Sequence, residues 1–273
     1  MSAGDPMHLS EAELRAMSAD LDAMHHDLTL PALKSSLAEW TEEIQAGDTR
    51  RRGSFARRRF LTVTGGAAGA ALLAACSSSS STTAAVATSA GATASGAAMN
   101  GGEGQQLAGD LRVVALAASL ENSGIATYAA GIKAATAGQL GTVPPAVVTF
   151  AQTAMSQHQD HQKAWNAVLI AAGKQPVTTV DPVVQPTINT AFAKVTNVTG
   201  LAKLALLVEN TAGETYQNGL SVIKSTAGIK TAASIQPVEF QHAAILNFLL
   251  GNYPVPAAFT GVSSARRVSD YQV

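Results

Sequence analysis

Between residues 121 and 242 the chain carries six side chains able to bind a metal ion, four of them set in pairs at helical spacing. His158-Gln159-Asp160-His161 and Glu239-Phe240-Gln241-His242 each hold two donors at positions i and i+3. On an α-helix such positions stand one above the other on a single face, so both side chains reach one ion. Glu121 and Glu209 each add a carboxylate on other predicted helices. Beyond residue 76 the chain has three histidines, and all three belong to this set; of four glutamates between Leu107 and Leu250, only Glu214 falls outside it. Charged groups facing a helical interior are costly unless paired or metal-bound. Taken singly, each of these residues would be ordinary; that nearly all of them coincide points to a site. Three carboxylates and three imidazoles suit iron, manganese or zinc.

The neighbouring polar and aromatic residues divide into two groups. Tyr128 and Tyr216 follow Glu121 and Glu209 at the same interval, two helical turns along the same face. They either hydrogen-bond the metal-binding carboxylates from behind, quench oxidising equivalents, or fill the end of the bundle. Asp160 is expected at solvent and Glu214 at the surface. Trp40 and Trp165 are better explained by packing than by chemistry.

The elements that must position these residues read as helices from Leu107 onward, with weak strand signal. The first runs from about 107 to 136, and the second from about 144 to 172, stopped by Gly173. The Pro/Val/Thr-rich stretch 175–186 reads as a long crossover. A third helix covers about 187–225, interrupted near Gly200. The fourth covers about 230–250 and ends at Gly251, with Pro237 marking either a kink or its true start. An internal repeat supports two related hairpins. Ala117, Glu121, Asn122, Thr127, Tyr128 and Gly131 align without a gap on Ala205, Glu209, Asn210, Thr215, Tyr216 and Gly219. His161 and Asn166 match His242 and Asn247.

Two helical hairpins joined by one long crossover, with Glu on two helices and Glu-x-x-His on the others, is the ferritin-like pattern. Over about Leu107 to Gly251 the chain resembles the exported ferritin-like domain proteins. The fold expected is therefore all-α, a ferritin-like four-helix bundle. The resemblance implies Glu121 and His161 as terminal ligands of one ion, Glu209 and His242 of the other, and Glu239 as the bridge. It implies iron first, with manganese or zinc as alternatives. His158 departs from the pattern, standing where the family has Glu, so two unequal ions or a single ion are the alternatives to a symmetric pair. Three function classes follow: metal-dependent oxidation of Fe(II) or removal of peroxide, metal binding without turnover, and a structural bundle with a polar core.

The rest of the chain concerns location. Arg57 and Arg58, followed by Phe60 and Leu61, resemble a twin-arginine export signature. A weakly apolar Ala/Gly run follows, too short for a membrane span of about twenty residues. It ends in Leu73-Ala74-Ala75-Cys76, which looks like a lipobox, so Cys76 is the expected lipid attachment. The alternative is an uncleaved anchor. Residues 77–106 are Ser/Thr/Ala/Gly-rich and read as a flexible tether. Residues 1–56 form an N-terminal extension, either a cytosolic helical hairpin or a sign that translation starts later. Residues 252–273 form a C-terminal tail. This organisation places the bundle outside the cell membrane, lipid-anchored. A net charge of −1 with 14% charged residues gives no basic stripe for nucleic acid. A homodimer is compatible with such an anchor, whereas a closed storage shell is obstructed by it. The residues do not identify a redox partner.

Overall fold

The computed structural model describes residues 9–47, 109–257 and 259–271. Arg57, Arg58, Cys76 and the stretches read as signal and tether lie outside the described residues. The described elements are α1 (Glu11–Met24), a π turn (His25–Thr29), α2 (residues 30–47), α3 (Asp110–Thr136), α4 (Pro145–Ala171), α5 (Val184–Phe192), α6 (Val198–Leu220), α7 (Thr226–Leu249) and a final 3₁₀ turn (Val268–Asp270). No strand occurs among the described residues. None of their helices is long and apolar enough to cross a membrane.

Local chemistry sets the helix ends. Pro145 occupies the first helical position of α4, where its missing N–H would have had no partner. The chain leaves α4 and α7 through Gly173 and Gly251, at φ 68° and 77°, a conformation that other residues rarely adopt. Asn197 caps α6 by accepting from the Gly200 N–H at 2.8 Å. Ser225 caps α7 by accepting from the Gly228 N–H at 3.0 Å.

Two expectations are refined. The third predicted helix is two helices, α5 and α6, broken at residues 193–197 ahead of the Asn197 cap. Part of the predicted crossover is thus helical: Asp181 accepts from the Val183 and Val184 N–H groups at 2.8 and 2.9 Å. Pro186 sits in the first turn of α5, where no intrahelical donor is required. Pro237 does not start a helix. Capping at Ser225 starts α7 earlier, and the helix runs through Pro237.

Helices α3 and α4 pack as one hairpin and α6 and α7 as the other, joined along α3 and α6 into a four-helix bundle. Helix α5 lies against α6 and α3. The apolar core comes in two layers. One gathers Leu116, Trp165, Leu169, Tyr216 and Ile235; the other gathers Tyr128, Phe150, Ala154, Ile245 and Leu246. Along every bundle helix the metal-capable residues fall between these layers. Burying such a polar belt inside two apolar caps lowers the local dielectric and strengthens each charge interaction there.

The N-terminal extension differs from a hairpin. Residues 11–47 form one continuous helical run, because Met24, His25 and Leu30 keep helical backbone angles and no turn intervenes. A capping box at Ser10 and Glu13 starts it. Its buried stripe is Leu14, Ser18, Leu21 and His25, then Leu33, Ser36 and Trp40. An α-helix turns about 100° per residue, so Leu33 would stand roughly 80° off the line of His25. The wider π turn takes up that difference and keeps one face inward. This face lies on α4 and α7. It runs antiparallel to α7: Ser36 meets Thr231, Glu39 pairs with Lys230, and Glu43 accepts from Ser225.

Candidate metal centre

The six metal-capable side chains converge. Glu121 comes from α3, His158 and His161 from α4, Glu209 from α6, and Glu239 and His242 from α7. All six are at most 1% exposed. They form two overlapping groups, Glu121–His158–His161–Glu239 and His158–Glu209–Glu239–His242, whose donor atoms lie within 4.8 Å of one another. Two ligands on one ion, each at about 2.0–2.2 Å, stand no further apart than that. The i, i+3 spacing thus puts both donors of α4 into the first group and both donors of α7 into the second.

The donor atoms also fit a metal. His161 Nδ1 and Glu239 Oε1 lie 2.9 Å apart, yet neither has a partner in hydrogen-bond geometry, and Glu239 Oε2 is equally without one. Buried polar atoms are normally paired. Donors that crowd together without pointing at each other are arranged around a shared point. His242 is held with Nε2 donating to Gln157 Oε1 at 2.8 Å, which leaves Nδ1 to face Glu209 Oε2 at 3.2 Å. A hydrogen bond at one ring nitrogen sets which nitrogen can bind an ion.

The tyrosines act crosswise. Tyr128 on α3 donates to Glu209 on α6, and Tyr216 on α6 donates to Glu121 on α3. Each therefore serves the carboxylate of the other repeat rather than its own, as a two-fold arrangement of the two hairpins requires. Both phenols are held well above their ordinary range, by burial first and then by the carboxylates they touch. They remain protonated donors at neutral pH. Tyr216 also accepts from Trp165 Nε1 at 2.6 Å. That tie gives Trp165 a polar duty besides its edge contact with Trp40.

His158 occupies the middle. At the offset that carries His161 onto His242, His158 falls on Glu239, so imidazole replaces one of a symmetric pair of carboxylates. Its Nδ1 lies 2.7 Å from Glu121 Oε2 and its Nε2 3.3 Å from Glu209 Oε1. The ring therefore spans both halves instead of serving one. Gly124 makes room: a Cβ there would meet three ring atoms at 3.0 Å. Nothing in the sequence marked Gly124, because its requirement comes from a ring on another helix.

Electrostatics follow from burial among opposite charges. Burial disfavours charge on His158, but Glu239, Glu209 and Glu121 outweigh it and hold the imidazole well above its usual range. His161 is likewise opposed by burial and held up to about 9 by Glu121 and Glu239. Burial raises Glu121, while the hydrogen bond to His158 and the nearby His161 imidazole win and bring it down to about 2. Without metal, protonated imidazoles thus offset the charge of the Glu121 and Glu209 carboxylates.

Two groups around the centre were missed by the sequence reading. Gln157, 1% exposed, links His242 to the Leu21 carbonyl. His25, 2% exposed, sets its ring 5.3 Å from that of His161, tilted by 59°. Burial, then repulsion from His161, pushes His25 down to about 4, so it is neutral. Asp160 is only partly exposed, between Lys163 at 2.9 Å and His25 at 3.6 Å. Glu214 accepts from the Ser264 N–H, so the C-terminal segment is tied to the bundle there and through Arg266 and Asp181.

No curated protein and no solved structure matches the chain. A family model described as ferritin-like domain matches residues 109–252. Those residues span α3 to α7, hold all six converging side chains, and make up more than half of the sequence. The chain belongs to the ferritin-like domain family.

Proposed function

We propose that this protein holds one or two transition-metal ions, iron first and manganese or zinc as alternatives, in the Glu/His pocket at the outer face of the cell membrane. What carries the reading is the convergence of six buried donors, with His161 Nδ1 and both Glu239 oxygens lacking any other partner. Glu121 and His161 would hold one ion and Glu209 and His242 the other, with Glu239 spanning the two. His158 would serve either half. A bound iron or manganese ion supplies the electron-transfer chemistry with O2 or peroxide that no side chain in the pocket offers. The protein's part is to fix the carboxylates through Tyr128 and Tyr216 and to exclude bulk water. Such a closed pocket suits oxidation of Fe(II) or removal of peroxide, whose reactants are a few atoms in size.

A second reading is favoured by His158. Its two nitrogens meet two carboxylates, so this imidazole has partners without any ion. That supports a holding or purely structural role. Metal-free protein titrated with Fe(II), followed by elemental analysis, separates these readings. One or two ions per chain with O2 consumption supports the redox function. Retention without O2 uptake supports a binding module, and no retention leaves the structural core.

The location rests on the twin-arginine and lipobox pattern. Anchoring predicts that the protein incorporates labelled palmitate and that Cys76→Ser abolishes the label. An unlabelled protein keeping residues 1–75 would favour the uncleaved anchor.

A further inference from the structure

The N-terminal helix is joined to the metal pocket by more than packing. Its inward face lies on α4 and α7, the two helices that each supply two of the six donors. At the level of the pocket it presents the Leu21 carbonyl and the His25 ring, one turn apart. Gln157 Nε2 reaches the Leu21 carbonyl at 3.4 Å, and Gln157 Oε1 accepts from His242 at 2.8 Å. His25 sets its ring 5.3 Å from His161. His161 Nε2 and both His25 nitrogens are buried and without hydrogen-bond partners. The two terminal imidazoles of the pocket thus each have a group of this helix behind them. The π turn begins at His25, where it brings the rest of the buried stripe into line.

Further along, the same helix is seated by a built interface. Trp40 is 3% exposed and lies over Gly228, where a Cβ would meet its ring at 2.8 Å. Thr231 donates to Ser36 at 2.9 Å in a buried contact. At the other end Leu14 and Leu21 join the apolar layer of Phe150 and Ala154. The helix is therefore a fifth wall of the bundle, supplied from a part of the chain that processing ahead of Cys76 would sever.

We propose that helix 11–44 is a removable cover of the metal centre, with His25 and Gln157 as positioning residues that orient His161 and His242, so that seating of the cover governs how fast an ion enters and leaves. This rests on the metal-binding reading above. Gln157 acts through its hydrogen bond to His242, of the kind that fixes an imidazole's tautomer and whose loss typically costs about tenfold or more in metal affinity; His25 acts on His161 by ring contact alone, with centroids 5.3 Å apart. A fifth wall also withholds the pocket from water. Lifting it both exposes the ions and frees the two imidazoles to turn.

The test uses the full chain in a Cys76→Ser background, loaded with Co(II) and challenged with excess EDTA. Ser36→Cys/Thr231→Cys, at positions whose hydroxyls already touch, allows the cover to be locked by a disulfide. Oxidised protein should release Co(II) at least tenfold more slowly than the same protein reduced with a phosphine. Leu14→Ala/Leu33→Ala, two buried residues on the seated face of the helix, should release it at least tenfold faster than the parent. His25→Leu keeps the packed volume and removes both nitrogens. It should shift the visible Co(II) spectrum, which reports ligand geometry, and His25→Gln should restore part of it. Release rates within twofold across locked, unlocked and loosened proteins would overturn the cover while leaving the metal site intact. An unchanged spectrum in His25→Leu would overturn the positioning role. A parent protein that binds no Co(II) would instead sink the metal reading on which both depend.

Discussion

Tyr216 and Tyr128 are related by the internal repeat, yet replacing them by Phe should have unequal costs. Each phenol donates to a buried carboxylate, Tyr216 to Glu121 and Tyr128 to Glu209. A hydrogen bond to a charged group contributes about 1.5–3 kcal/mol. After Tyr128→Phe, Glu209 Oε1 keeps His158 Nε2 at 3.3 Å as a partner. After Tyr216→Phe, Trp165 Nε1 loses its acceptor, at a residue 0% exposed. A buried donor left unsatisfied costs a further ~1–3 kcal/mol. Tyr216→Phe should therefore destabilise the metal-free protein by about 4 kcal/mol and Tyr128→Phe by about 2 kcal/mol. Urea unfolding of metal-free protein at neutral pH, followed by far-UV circular dichroism, measures both; a shift in midpoint with unchanged slope reports stability. Adding Trp165→Phe to Tyr216→Phe should then cost little more, because the orphaned donor is removed with its ring. Equal losses for the two tyrosines would refute the reasoning, showing that the Trp165–Tyr216 bond carries no weight.

Other outcomes follow from the charges in the pocket. Glu121 is held down to about 2 when folded, so its contribution is present above its ordinary value of 4.5 and is lost as pH falls through about 2. His161 is held up to about 9, so its contribution is complete below 6.5 and is lost as pH rises through about 9. His25, pushed down to about 4 when folded, costs stability as pH falls from 6.5 to about 4, so the urea midpoint of metal-free protein should be highest near pH 6.5 and fall on both sides. Bound metal should remove the alkaline decline, because its imidazole ligands are already deprotonated; a midpoint that stays flat to pH 9 without metal would contradict this. His158→Glu restores the carboxylate that the repeat places opposite Glu239, and should raise metal stoichiometry toward two or speed Fe(II) oxidation. Titration with elemental analysis checks it, and two equal tight sites before and after the change would strip His158 of functional meaning.

The chain's periodicity and its sparse charges were enough to find the pocket. With few charged residues to distribute, two i, i+3 pairs and two single glutamates in duplicated hairpins have one economical use, and the side chains do converge. Helix ends marked by Gly173 and Gly251 were legible for the same local reason: their backbone angles depend on neighbouring residues alone. The break before α6 was half-legible, since Gly200 flagged a region but the Asn197 cap fixed it. Other features depended on which helices meet. The crossed tyrosine bonds need the two repeats facing each other, which sequence spacing along one helix does not reveal. The place of His158 between both carboxylates needs the gap at Gly124 on α3. Most of all, residues 11–44 carry an amphipathic stripe whose partner lies more than a hundred residues away. Periodicity says that a face must be buried, but only packing decides against what, and here it is the α4–α7 face behind the converging Glu/His side chains.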